Sequence, residues 1–149
     1  MNEKWHLRYL ELAKHISTWS KDPSTKVSAI AVNAKGQILS TGYNGFCRGV
    51  ADTVERYFDR ETKYKYVVHA EMNCLYNASY TGTCLADSTL YVWGLPVCSE
   101  CAKGIIQTGI KTIVMPNFEI TGTWAESWKL SESMLTEAGV QHKFIDINQ

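Results

Sequence analysis

From residue 89 onward the chain alternates strand, helix, strand, helix, strand, and nothing else in the sequence restricts the fold as much. Thr89 to Trp93 is a short run of β-branched and aromatic residues. Ser99 to Thr108 carries helical spacing and is stopped by Gly109, and Thr112 to Met115 is apolar again and ends at Pro116. Trp124 to Ala138 is helical with Gly139 as its cap, and Val140 to Ile145 is a last strand. A strand that returns through a helix to its own sheet does so by a right-handed crossover, giving parallel strands with covered faces. The expected class is α/β.

The first half adds the other edge of the sheet. Trp5, Tyr9, Leu12, Ile16 and Trp19 fall at steps of four, three, four and three, one apolar stripe on a helix over roughly residues 3–20. Lys21-Asp22-Pro23-Ser24 stops it. Val27 to Val32, a turn at Lys35-Gly36, and Gln37 to Thr41 read as a β-hairpin. Residues 42–68 are rich in Gly, Tyr and charge without a clear period, and are expected to form a long functional loop. Ala70 to Tyr80 is a helix ending before Gly82. The sum is a five-stranded mixed sheet between helical layers, in one domain over residues 1–149.

Composition narrows the partners. Fifteen Lys plus Arg balance fifteen Asp plus Glu. A chain that grips long nucleic acid usually carries a basic surplus, so a small molecule is the expected ligand and nucleic acid is not. The first twenty residues are too polar for a signal peptide, and no apolar run approaches membrane-spanning length, so a cytoplasmic protein without membrane partners is expected. Five cysteines, at positions 47, 74, 84, 98 and 101, are an odd number in a reducing compartment. Metal or redox chemistry is then a better reading of close cysteines than a disulfide framework.

Two fragments carry that chemistry: His69-Ala70-Glu71 and Pro96-Val97-Cys98-Ser99-Glu100-Cys101. At a helix start, a spacing of three puts both sulfurs on one side. Free N–H groups and the helix dipole there favour thiolates, the form that binds metal. With His69 as a third donor the set suits tetrahedral Zn²⁺, one per chain, with a fourth position left for water. Glu71, pointing differently from His69, is the candidate proton carrier. A C-x-x-C pair alone also marks redox couples and structural zinc, but structural zinc usually takes four protein donors, and Cys47, Cys74 and Cys84 have no matching partner. Cys74, on the buried face of its helix, and Cys84, in a turn, read as structural.

H-x-E with P-C-x-x-C is the general signature of zinc nucleobase deaminases. The sequence resembles deoxycytidylate (dCMP) deaminases over most of its length. Further matching segments are Ser20-Lys21-Asp22-Pro23-Ser24-Thr25-Lys26-Val27, Gly42-Tyr43-Asn44-Gly45, and Lys63-Tyr64-Lys65-Tyr66-Val67-Val68 leading into His69. The resemblance implies a three-layer α/β/α cytidine-deaminase-like fold whose last strand is parallel. It implies hydrolysis of dCMP to dUMP and ammonia, a supply of dUMP for dTMP synthesis. In the family Asn44 contacts the sugar, the Ala70 N–H contacts the base carbonyl, and Pro96 lies in the backbone lining the base pocket. Asn-Gly is also a common turn dipeptide, and the two roles are compatible. Ser24 and Lys26, beside the first strand, are candidates for the substrate phosphate, although Lys26 also reads as a solvated charge. Family members are commonly activated by dCTP and inhibited by dTTP with Mg²⁺, and assemble as homo-oligomers, often hexamers. Effector contacts would fall on Lys21, Asp22, Arg48 and Gly49, each of which also reads as ordinary surface polarity.

The sequence departs from the family in three places. Val97 separates Pro96 from Cys98, Cys47 stands where the family has proline, and residues 117–128 match poorly. Two other readings stay open: deamination of another substrate, such as cytidine or tRNA adenosine, and a catalytically silent zinc- or nucleotide-binding module.

Overall fold

Strand β1 (Ser28–Val32) is buried at every position, because it lies inside the sheet and both its faces are covered. The computed structural model describes residues 2–147. Helix α1 (Glu3–Ser17) precedes β1, and β2 (Ile38–Tyr43) returns antiparallel to it across the Lys35-Gly36 turn. After β2 come β3 (Gly45–Phe46), α2 (Val54–Phe58), α3 (Arg60–Tyr66), β4 (Val67–Val68) and α4 (Ala70–Thr81). The second half is β5 (Thr89–Trp93), α5 (Ser99–Gln107), β6 (Thr112–Pro116), α6 (Thr123–Glu137) and β7 (Gln141–Ile145).

The five long strands form one sheet in the order β2-β1-β5-β6-β7. β1 is antiparallel to both neighbours, whereas β5, β6 and β7 run parallel, as the strand–helix alternation requires. Alternate residues of each strand serve different layers. Ile30, Val32, Tyr91 and Val114 pack under α1 with Tyr9, Leu10, Ala13 and Ile16. Ala29, Ala31, Leu90, Val92, Ile113 and Met115 face the opposite layer, which is built by α4, α5 and α6. The three-layer mixed sheet with a parallel last strand is the fold expected from the sequence.

Three expectations need correction. The buried face of α1 is His6, Tyr9, Leu10, Ala13, Ile16 and Ser17, and the helix ends at Ser17. Trp5 and Trp19, at the ends of the predicted stripe, are 42% and 54% exposed. Steps of three and four drift around a 3.6-residue helix, and the sheet covers only the middle of the stripe. Residues 42–68 are not a structureless loop. Two short helices, capped by the side chains of Thr53 and Asp59, and a β3–β4 ribbon fill the segment. Phe46 stacks on Tyr57 at 4.2 Å between centroids, so aromatic packing organises it where no periodic stripe could be seen. Cys84 is exposed, while Cys74 is fully buried as expected.

Candidate metal centre and cavity

Two helix starts converge beside the end of β5. His69 is the N-cap residue of α4, with extended backbone (φ −65°, ψ 151°) and no side-chain capping bond, which leaves its ring free to point away from its own helix. Cys98 is the N-cap of α5, and its Sγ accepts from the Cys101 N–H at 3.5 Å. Val97, the residue inserted after Pro96, is fully buried, and its carbonyl accepts from Ser131 of α6 at 2.8 Å. The insertion thus fills the core and leaves the start of α5 in place. Gly94, at φ +113°, lets this connection pass Lys26 and Val27, where a Cβ would come within 2.5 Å of the Lys26 carbonyl oxygen.

Cys98 Sγ lies 3.3 Å and Cys101 Sγ 3.4 Å from His69 Nδ1. The three donor atoms lie within 4.8 Å of one another. One imidazole and two sulfurs on a short triangle suit a tetrahedral soft-to-borderline cation, and among the described residues no fourth His, Cys, Asp or Glu joins the group. The residues present therefore fit zinc with an open corner. Electrostatics agree. The Cys98 thiol is pushed down to about 4 by the Cys101 thiol, against its burial, with further help from His69 and the Cys101 N–H. Cys101 is pushed up by its hydrogen bond to Cys98 and by burial, and the Glu71 and Cys98 charges add to the rise.

Glu71, 4% exposed, is in the first turn of α4. Burial and then the Cys98 charge raise its carboxyl to about 7. A carboxyl with comparable affinity for a proton and for its absence near neutrality is suited to moving one.

All of this opens into one cavity. It is lined by residues of five chain segments: Lys63 to Glu71 with His69 and Ala70, Leu95 to Cys98 with Pro96, Asp22 to Val27, Asn44, and Trp124.

A sequence model described as the cytidine and deoxycytidylate deaminase zinc-binding region matches residues 3–116. The chain belongs to that family. This deaminase is 34% identical over 150 residues to a protein of Aliivibrio fischeri described as "Uncharacterized deaminase in luxG 3'region", covering 99% of this chain and 98% of that one. It is 38% identical over 118 residues to human deoxycytidylate deaminase, and the match spans 74% of this chain and 64% of the human one. A crystal structure of dCMP deaminase from the cyanophage S-TIM5, in complex with dCMP and dUMP, shares the fold with a TM-score of 0.81 at 24% identity, covering 97% of this chain and 99% of that one.

The other residues singled out in the sequence are placed unevenly in this deaminase. Asn44, Ala70 and Pro96 all border the cavity. The Asn44 amide is already committed: Oδ1 accepts from Val27 N–H at 2.9 Å, and Nδ2 donates to the Thr25 carbonyl at 2.9 Å. It ties the 20–27 connection into the wall. Lys26 turns back and donates to the Ser20 carbonyl, so it is not part of the wall. Ser24 is not part of the wall either; its Oγ donates to Asp22 and accepts from Lys63, which are.

The four effector candidates do not gather. Lys21 makes an exposed ion pair with Asp52 at 3.0 Å, and Asp22 is buried in the cavity wall. Arg48 bonds to Asn77 and lies 4.8 Å over the Tyr80 ring, in a separate cleft against α4. Gly49 sits in an exposed turn at φ +81°.

Lys63, Tyr64, Thr25 and Trp124 border the cavity without having been singled out. Lys63 and Tyr64 stand in the Lys63–Val68 segment that carries part of the resemblance, so a signal existed. Trp124 lies in the stretch that matches poorly, and only the docking of α6 brings it to the site.

Proposed function

We propose that this chain catalyses the zinc-dependent hydrolytic deamination of dCMP to dUMP and ammonia. The observation that carries the reading is the His69-Cys98-Cys101 triangle next to a buried Glu71, at the wall of a cavity lined by five chain segments. When bound, zinc supplies Lewis acidity that makes water a competent nucleophile at neutral pH.

The chain's own groups do the rest. Glu71 takes a proton from the attacking water and delivers it to ring N3, which makes C4 more electrophilic. It then takes the remaining proton of the hydroxyl now on C4 and passes it to the amino nitrogen, so that C4 becomes a carbonyl as ammonia leaves. The Ala70 N–H, in the first turn of α4, lacks an intrahelical carbonyl and donates to the base carbonyl. Asn44 holds the 25–27 backbone against the ligand and offers its remaining acceptor capacity to the sugar. Pro96 closes the wall on the base side.

Regulation by dCTP and dTTP with Mg²⁺, a homohexamer and a cytoplasmic location are carried over from the family resemblance. The scatter of Lys21, Asp22, Arg48 and Gly49 gives those four no shared effector cleft. Among the described residues, no helix is long and apolar enough to cross a membrane.

The direct test is the fall in dCMP absorbance with stoichiometric ammonia release by the zinc-loaded chain, run with and without dCTP. Competition with cytidine and an RNA hairpin separates this substrate from others. A zinc-loaded chain that turns over none of them, with or without dCTP, overturns the proposal.

A further inference from the structure

Among the described residues lining the cavity, Lys63 is the one lysine or arginine. It is 6% exposed, an unusual state for an ammonium, and its position in the wall is held from two sides. Nζ lies 3.3 Å from Asp22 Oδ1 and donates to Ser24 Oγ at 3.0 Å. An ammonium has three N–H groups, and these two partners engage two of them. The Asp22 carboxylate pairs with this charge and is shared among other donors as well. Its Oδ1 also accepts from the Ser24 N–H at 2.9 Å, the Thr25 N–H at 3.2 Å and Ser24 Oγ at 3.1 Å.

A second observation extends the cationic wall. Lys63 also borders an adjoining cleft, with Pro23, Ser24, Tyr57, Phe58 and Arg60. Arg60 is one turn before Lys63 on α3, and its Nε donates at 3.2 Å to the hydroxyl of Tyr64, itself a lining residue of the main cavity. Lys63 is the residue the two spaces share, and around it stand a second cation, Arg60, the hydroxyls of Ser24 and Tyr64, and the Asp22 carboxylate that positions it. The cations and hydroxyls are the donor set a phosphate monoester needs, and they contrast with the overall charge balance of the chain.

We propose that Lys63 recognises the 5′-phosphate of the substrate, with Asp22 as its positioning partner and Ser24 and Arg60 beside it. The proposal rests on the reading of the chain as a deaminase of a cytosine mononucleotide. It moves phosphate recognition from Lys26, which is tied to the Ser20 carbonyl, to a residue of α3. It also gives Asp22 a place in substrate binding. A mere staple between α3 and the 20–27 connection would affect stability and act alike on all substrates. A phosphate ligand acts only on those that carry the phosphate.

The test uses the zinc-loaded full chain. For wild type, kcat/KM is measured on dCMP and on deoxycytidine, and the affinities of dUMP and deoxyuridine are measured by calorimetry. Lys63→Gln is expected to lower the dCMP-to-deoxycytidine ratio by about 10- to 100-fold, through KM, as loss of a hydrogen bond to a charged group implies. The affinity advantage of dUMP over deoxyuridine falls by a similar factor. Lys63→Arg keeps most of both. Because Lys63→Gln strands the Asp22 carboxylate, the Asp22→Asn/Lys63→Gln double variant repeats the measurement without a buried unpaired charge, and zinc content and thermal melting report on folding. A folded variant that keeps the wild-type preference for dCMP and dUMP overturns the role of Lys63 alone. A wild type with no preference for the phosphorylated forms overturns the mononucleotide reading itself.

Discussion

Glu71 follows His69 by two residues, and that offset separates two jobs that need different atoms in one place. His69 is outside the helix proper as its N-cap, while Glu71 is already in the first turn, so one chain segment presents both to the cavity. Changing Glu71 to Gln keeps the shape and removes the proposed proton carrier. Turnover of dCMP is expected to fall by about 10²- to 10⁴-fold, with zinc content unchanged at one per chain by metal analysis. Cys101→Ala removes a donor from a set of three, and bound zinc after dialysis is expected to drop well below one per chain. Both fragments could be read from the sequence, because donor types and local spacing are local facts. The role of Asn44 could not be read in full. Its hydrogen bonds to Val27 and Thr25 join residues 17 and 19 positions apart, and nothing in a turn dipeptide announces them.

At the scale of the element, α4 is what joins the site to the sheet. It packs across β2, and Gly42 is the point of closest approach. A Cβ there would lie 2.6 Å from the Ala70 carbonyl oxygen and 2.8 Å from the Asn73 carbonyl carbon, and would also strike the Cys74 N–H. All three are backbone atoms of α4 and cannot rotate away. Gly42→Ala is expected to cost about 1–3 kcal/mol or more, read as a lower urea midpoint, and to lower zinc affinity because the first turn of α4 moves with the helix. The strands and helices from residue 89 onward were legible, since each has a clear period and a Gly or Pro stop. Helices α2 and α3 were not. They have five and seven residues, too short to show a period, and they form because Thr53 and Asp59 cap them and because Tyr57 and Phe46 stack.

For the whole molecule, two linked equilibria follow. A divalent cation that binds the folded chain through three converging donors adds stability by mass action, so a strong chelator is expected to lower the melting temperature, and added zinc to restore it. The second concerns acid. Burial by itself would raise the Asp22 carboxyl, but the Ser24 and Thr25 N–H groups and then Lys63 hold it below the usual carboxylate value. A folded value below the unfolded one means that the ionised form stabilises the fold. That contribution is complete above the unfolded value near pH 4 and is lost as pH falls through the folded value. Asp22→Asn is expected to destabilise the chain at neutral pH and to flatten the acid limb of a plot of urea stability against pH. An unchanged limb would show that Asp22 is not among the carboxylates that set acid stability.

Sequence alone determined the class of the sheet and singled out His69, Cys98, Cys101 and Glu71, the proposed metal donors and proton carrier, because each depends on period, spacing or residue chemistry within a short stretch. Tertiary structure alone decided which charged residues belong to the cavity. Asp22 and Lys63 stand 41 positions apart, and only the docking of α3 against the segment after α1 turns two ordinary charges into one buried pair. The same long-range packing turned Lys26 away from the wall and placed Trp124 in it. A buried charge needs its partner delivered by the fold, and that delivery is a property of the whole chain.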